Sequence, residues 1–245
     1  MSQSYTDKAL YRERVRTSGL ARFQVRVEQT DLFIRAERVM EAEARALVTT
    51  GRSRILSWAE SHPGFLESLS PLPTDPLVPS PVREMVAAGL AAGVGPMAAV
   101  AGALAEFVGR SLMAKSPGGV IVENGGDIYL SLPSQAVVGL FAGPSILSGR
   151  LGLVLSPERM PAGVCTSSAS VGHSLSLGKA DAAVVVARSA ALADAAATAL
   201  GNRIQRPADI EPALAWALSV EGVSGAVAVV GDRIGLLGDL ELTEI

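Results

Sequence analysis

The chain has 245 residues, 49% hydrophobic and 18% charged, with a net charge of −3. That is ample for a packed core, and it excludes a disordered chain and a strongly basic nucleic-acid binder. One cysteine, Cys165, excludes an intramolecular disulfide and a cysteine-rich zinc site, and two histidines, His62 and His173, exclude a histidine-rich metal centre.

Residues 1–17 are polar and charged throughout, and read as a loose arm without an apolar leader, which points to the cytoplasm. Ten of the 18 arginines lie between Arg12 and Arg54, with acids among them. That segment is either a pair of solvated faces, or an anion-facing surface or contact between copies of the chain. Alternation over 20–27 and again over 31–36 predicts a hairpin with one buried face. Residues 41–62 read as a helix, disturbed at Gly51 and ended by Pro63-Gly64. Five prolines between Pro71 and Pro81 make an extended connector, either a linker or a strap over the surface.

Ser80-Pro81 predicts a helix start with Ser80 as its cap. That helix ends at Gly93 or Gly95, and Pro96 opens a second one running to about Met113. The uncharged run 85–105 is long enough to span a bilayer, but it is rich in Ala and Gly and is cut at Gly93-Val94-Gly95-Pro96. Two buried helices and no membrane partner are expected. The glycines at 93 and 95 lack the preceding strand that a dinucleotide fingerprint needs.

From Gly118 the pattern turns to short strands at 120–123, 127–132, 136–141 and 151–155, read as an antiparallel meander. A hydroxyl-rich loop follows at 165–178, then a buried strand at 182–187 and helices at 189–200 and 207–218. A hairpin spans 223–230 and 233–237. The order predicts an α+β fold with helices grouped against a largely antiparallel sheet.

Three polar groups interrupt the Ala/Val/Leu background. Asn124-Gly125-Gly126-Asp127 is a hairpin turn by its chemistry. Its missing Cβ atoms would also let a ligand lie on the backbone, with Asp127 addressing it. The loop from Cys165 through Thr166, Ser167 and Ser168 to His173 suits an oxyanion, or a nucleophile paired with a histidine. Cys165 is also readable as a small buried apolar side chain, and His173 as a hydrogen-bonded structural residue. Asp194 and Thr198, at i and i+4 of an otherwise Ala/Leu helix, share one face. That face is either solvent or a site for a hard cation such as magnesium.

These motifs, in this order, resemble the ApbE family, which carries a Gly-Gly-Asp turn, a Thr-Ser loop, a His-bearing loop and an Ala-Asp-x-x-x-Thr helix. The likeness is clear over about 118–200. It implies an α+β fold of two related antiparallel-sheet-plus-helix units packed into one body, here spanning 1–245 as a single domain. ApbE proteins are magnesium-dependent transferases that move the FMN part of FAD onto a Thr of a partner flavoprotein. The resemblance implies Asp194 and Thr198 as metal ligands. Asn124, Gly125, Gly126 and Asp127, with Thr166, Ser167 and Ser168, would lie near the nucleotide, and His173 would be an acid/base group. The chain departs from the family after its His, where Ser174-Leu175-Ser176-Leu177-Gly178-Lys179 replaces an Asp-Pro motif. Residues 95–102 and 172–178 look more like a cytoplasmic side branch of the family in anaerobic archaea and bacteria, linked at family level to sulfide assimilation. Three readings result, in this order. The first is a protein binding FAD, FMN or a related nucleotide with magnesium. The second is an enzyme acting on a sulfur metabolite through a Cys165 thiolate activated by His173. The third is a non-catalytic scaffold that kept the fold.

Overall fold

The computed structural model describes residues 19–169 and 176–245, so the arm expected over 1–17 lies outside the described residues. Strands β1 (Ala21–Val27) and β2 (Thr30–Ala36) form the expected hairpin. Its turn is tighter than the sequence suggests, because Thr30 already pairs with Val27 and Glu28 takes a φ of 52°. Helix α1 (Glu41–Ser61) runs through Gly51 without a break. A Cβ at Gly51 would stand 2.9 Å from Leu104 Cδ2, so the glycine serves as a packing notch rather than an irregularity.

The proline-rich stretch is a strap. The Leu69 carbonyl accepts from the Gly95 N–H at 3.0 Å, which ties it to the corner between the next two helices. Helix α2 (Val82–Ala92) starts one residue later than expected, with Pro81 as its cap. Ser80 makes no side-chain cap bond; its carbonyl accepts from Arg54 at 2.8 Å instead. Gly93, at φ 73°, closes α2. A 3-10 turn at Pro96–Ala99 leads into helix α3 (Val100–Met113). The apolar run is therefore two segments bent by 109°, and among the described residues no single helix is long and apolar enough to cross a membrane.

The remaining elements are β3 (Val120–Asn124), β4 (Asp127–Ser131), β5 (Ala136–Gly139), β6 (Leu151–Leu155), β7 (Ala162–Ser167), β8 (Ala182–Ala187), α4 (Ala190–Asn202), α5 (Ile210–Ser219), β9 (Val223–Val230), β10 (Arg233–Gly238) and β11 (Glu241–Glu244). An eight-stranded sheet has the order β1-β2-β3-β4-β7-β8-β9-β10, with every neighbouring pair antiparallel. The expected meander is broken. Strands β5 and β6 leave the main sheet and join β11 in a second sheet of order β11-β6-β5. The loop expected from Cys165 begins only after Ser167, because residues 162–167 are strand β7. Strand β11, which the sequence reading does not contain, is largely exposed and reads Glu-Leu-Thr-Glu, so no apolar run marks it.

Side-chain alternation sorts the main sheet into two faces. Val122, Tyr129, Cys165, Val185 and Ala226 face the helices. Ile121, Leu130, Val164, Val184 and Val227 face the second sheet. The helix layer is built from small residues. A Cβ at Gly109 would meet the Tyr129 ring at 2.2 Å, and one at Gly163 would meet Ala190 Cα at 2.3 Å. A buried Val or Leu contributes roughly 1.5–3 kcal/mol, and Ala contributes less through its smaller area. The Ala-rich layer compensates by close approach of backbones, which restores dispersion contacts that larger side chains would otherwise supply. Strands β2–β4 with α3, and β7–β9 with α4, form two sheet-plus-helix halves. They meet edge to edge where Ile128, Tyr129 and Leu130 of β4 pair with Val164, Gly163 and Ala162 of β7.

Candidate functional site at the seam of the two halves

The turn between β3 and β4 holds Gly125 and Gly126 at φ 67° and 109°, with Asn124↔Asp127 as the closing pair. Positive φ at both central positions is what a two-residue turn of this twist demands, and glycine adopts it without strain. No atom lies within 4 Å of where a Cβ would be on either glycine, so the outer surface of the turn is open. Asn124 is pinned on the helix side, its amide donating to the Ala101 carbonyl at 3.1 Å. The Gly126 N–H donates to Glu123 Oε1 at 3.1 Å.

Asp127 points the same way as Tyr129, into the helix layer, and is 9% exposed. Its Oδ1 accepts from the Thr166 N–H at 3.3 Å. Burial pushes its pKa up to about 7. The Glu123 charge adds to the rise, while the Thr166 N–H and a hydrogen bond from Cys165 oppose it. Across the seam, Asp194 projects from the first turns of α4 towards α3. Its Oδ2 accepts from the Gly102 N–H at 2.9 Å. Desolvation, then repulsion from Asp127, raises its pKa well above the carboxylate range, against the pull of the Gly102 and Ala101 amides. Two acids from separate halves, Asp127 buried and Asp194 partly exposed, are thus close enough to repel one another. Such an arrangement is relieved by a proton or by a cation.

Cys165 is fully buried within reach of both charges, its thiol donating to the Ala190 carbonyl at 3.3 Å. Burial, then the charges of Asp127 and Asp194, push its pKa well up. A reactive thiolate needs the opposite shift. The expectation of a lowered pKa is therefore corrected, since the neighbours facing this thiol are acids and apolar carbons. His173, invoked as its activator and as an acid/base group, lies outside the described residues.

Thr166 offers its amide to Asp127 and turns its side chain to the other face of β7, while Ser167 points into the helix layer and is 9% exposed. Ser168 follows just past the strand end. Thr198 stands one turn beyond Asp194 on α4, partly exposed among buried alanines. The structure thus gathers Asn124, Asp127, Cys165 and Asp194 around the seam, with the glycine turn at its mouth. Among the described residues no cluster of three or more His, Cys, Asp or Glu forms a ready-made metal cage.

One residue with a visible part in this arrangement was not singled out from the sequence. Glu106 on α3 is 4% exposed, and its Oε2 accepts from Ser189 Oγ at 2.9 Å, Ala190 N–H at 2.7 Å and Ala191 N–H at 3.3 Å. Its Oε1 pairs with Arg110 at 2.6 Å. A carboxylate at the start of a helix satisfies its orphan N–H groups and favours its dipole. Glu106 thereby fixes the start of α4, and with it the place of Asp194. The signal in the sequence was an acid within an Ala/Gly helix, legible only once its distant partner is known. Two surface concavities lie elsewhere. One of about 360 Å³ lies beside Trp58 and His62, and one of about 740 Å³ lies between α5 and β10.

An antiparallel sheet with one helical face, a small second sheet on the other and a seam between two halves defines an ApbE-like fold. The chain superposes on the ApbE protein of Thermotoga maritima with a TM-score of 0.57 at 12% identity, covering 88% of this chain and 96% of that one. The flavinyl transferase ApbE of Pseudomonas stutzeri, in its apo form, gives 0.54 at 16% identity, covering 92% and 94%. A family model described as AbpE bacteria matches residues 12–241, and the chain belongs to that family. Its sequence is 41% identical over 203 residues to a UPF0280 protein of Methanocaldococcus jannaschii, covering 81% of this chain and 82% of that protein. It is 39% identical over 220 residues to a UPF0280 protein of Methanocella arvoryzae, covering 90% and 89%.

Proposed function

We propose that this protein binds a flavin nucleotide, FAD or FMN, at the seam, with a magnesium ion between the nucleotide phosphates and the chain. The observation that carries the reading is the pair of acids, buried Asp127 and partly exposed Asp194, brought together from the two halves. Magnesium favours one or two carboxylates, with phosphate oxygens and waters completing its shell, so the donor set fits without a full protein cage. Asp194 and Thr198 would hold the ion, with Asp127 facing it. The ion would neutralise phosphate charge. The chain's own contribution is placement. The Gly102 N–H orients the Asp194 carboxylate, Asn124 anchors the glycine turn to α3, and the open backbone at Gly125 and Gly126 lets a flat ligand approach. Ser167, Ser168 and the backbone of Thr166 would line the nucleotide side, with the Thr166 side chain turned to the other face of β7. The likeness to flavinyl transferases supports a flavin over other nucleotides.

Titration of flavin fluorescence tests the proposal. FAD should be quenched in the presence of magnesium and released by a chelator. Asp194→Asn should lose the effect while keeping its melting temperature within a few degrees. Wild-type protein that leaves FAD fluorescence unchanged at high micromolar concentration with magnesium overturns the reading and leaves the scaffold interpretation. Sulfur chemistry at Cys165 is the weaker alternative, because its thiol is buried and held protonated.

A further inference from the structure

Helices α1, α2 and α5 each carry an acid of their own in the first turn: Glu41 and Glu43, Glu84, and Glu211. The two helices that meet at the seam carry none there. Their amides are nevertheless satisfied, and by one another. The N-cap of α3 is Ala99, which has no side-chain acceptor to offer. The Gly102 N–H instead donates to Asp194 Oδ2 of α4 at 2.9 Å, and the Ala101 amide pulls on the same carboxyl group. On α4, the Ala190 and Ala191 N–H groups donate to Glu106 Oε2 of α3 at 2.7 and 3.3 Å. The spacing is the same in both helices. An amide at i stands one turn from an acid at i+4, Gly102 with Glu106 and Ala190 with Asp194, so donor and acceptor share a face. Two helical turns and the hydrogen bonds between them thus close a ring. Gly102 draws it tight, because the Ala190 carbonyl lies where a Cβ would be.

We propose that Glu106 and Asp194 are reciprocal positioning residues, each setting the place of the other through this ring, so that the Asp194 carboxyl group is oriented before any ligand arrives. What Asp194 then binds rests on the flavin and magnesium reading above; the ring stands without it. Glu106 is committed to Arg110 at one oxygen and to the start of α4 at the other, so it reaches a ligand only through Asp194. A carboxyl group on a free rotor must be ordered when it takes up a cation, whereas one already tied to a helix start escapes that cost.

A double-variant cycle in metal-free protein, read by urea unfolding, tests the ring. Breaking it at one point releases the other, so the Glu106→Ala/Asp194→Ala protein should have a folded-to-unfolded ratio at least about ten-fold higher than the product of the two single effects predicts. Single effects that simply multiply mean two independent caps and overturn the ring. Titration with FAD and magnesium tests the positioning. Glu106→Ala should raise the magnesium concentration at half-maximal quenching at least about ten-fold, with FAD affinity at saturating magnesium unchanged. Glu106→Gln keeps an oxygen for the Ala190 and Ala191 amides and should return the midpoint to within about three-fold of wild type. A Glu106→Ala protein that melts lower but keeps the wild-type magnesium midpoint has lost only a cap, and overturns the positioning role. If Glu106→Ala does not fold, Glu106→Asp, which keeps the charge and withdraws it by one methylene, takes its place in both measurements. A wild type that leaves FAD unquenched removes the flavin reading, while the unfolding cycle still decides the ring.

Discussion

Gly102 shows how closely single residues govern the site. A Cβ there would meet the Ala190 carbonyl oxygen at 2.2 Å and Asp194 Cβ at 2.9 Å. Both obstacles belong to a packed helix, so Gly102→Ala must push α3 and α4 apart. We expect a loss of about 1–3 kcal/mol in urea unfolding, the usual cost of overpacking. Magnesium-dependent binding should weaken too, because the amide that orients Asp194 moves. Asp127 makes a prediction of opposite character. Its folded pKa of about 7 lies above the 3.8 of an unperturbed aspartate. The folded state therefore binds this proton more tightly than the unfolded one. The resulting stability is complete below about pH 4 and lost as pH rises through about 7. In metal-free protein the melting temperature should fall between about pH 5 and 8. Asp127→Asn should flatten that slope, and a slope unchanged by the substitution would remove this account of Asp127.

Helix α4 is the element on which the site depends, and its start is held twice. Ser189 caps it by accepting from the Leu192 N–H at 3.3 Å, and Glu106 accepts from the two amides before it. Ser189→Ala should cost about 1 kcal/mol, as lost caps do. Glu106→Ala should cost more, because each buried donor left without a partner costs roughly 1–3 kcal/mol. Chemical denaturation of the two variants side by side gives the order. The sequence made α4 legible through its Ser start and unbroken Ala run, and α2 through Gly93. It placed the hairpins at Glu28 and Gly231 for the same reason, since turn chemistry is local. Strand β7 was not legible, because Cys165-Thr166-Ser167 is polar in composition and its inner face is covered by a helix that begins 23 residues later. The pairing of Asp127 with Asp194 was equally hidden. Each motif is local, but their convergence depends on β7 returning beside β4 after β5 and β6 have left the sheet.

At the scale of the whole molecule, layering predicts where the structure opens. Strands β4, β7 and β8 are covered by helices on one face and by the second sheet on the other. Strands β10 and β11 are mostly exposed. Amide exchange should be slowest in β4, β7 and β8 and fastest in β11, since exposed hydrogen bonds open locally at low cost.

The short ladder between β4 and β7 has a consequence of its own. Three residue pairs join the two halves along the backbone there. Asp127 hangs from one side of that join and Asp194 from the other. Whatever bridges the two carboxylates becomes a rivet through the joint, and its binding energy is added to the cohesion of the halves. Occupancy would then be readable without any chemistry, as a rise in melting temperature that grows with the logarithm of ligand concentration.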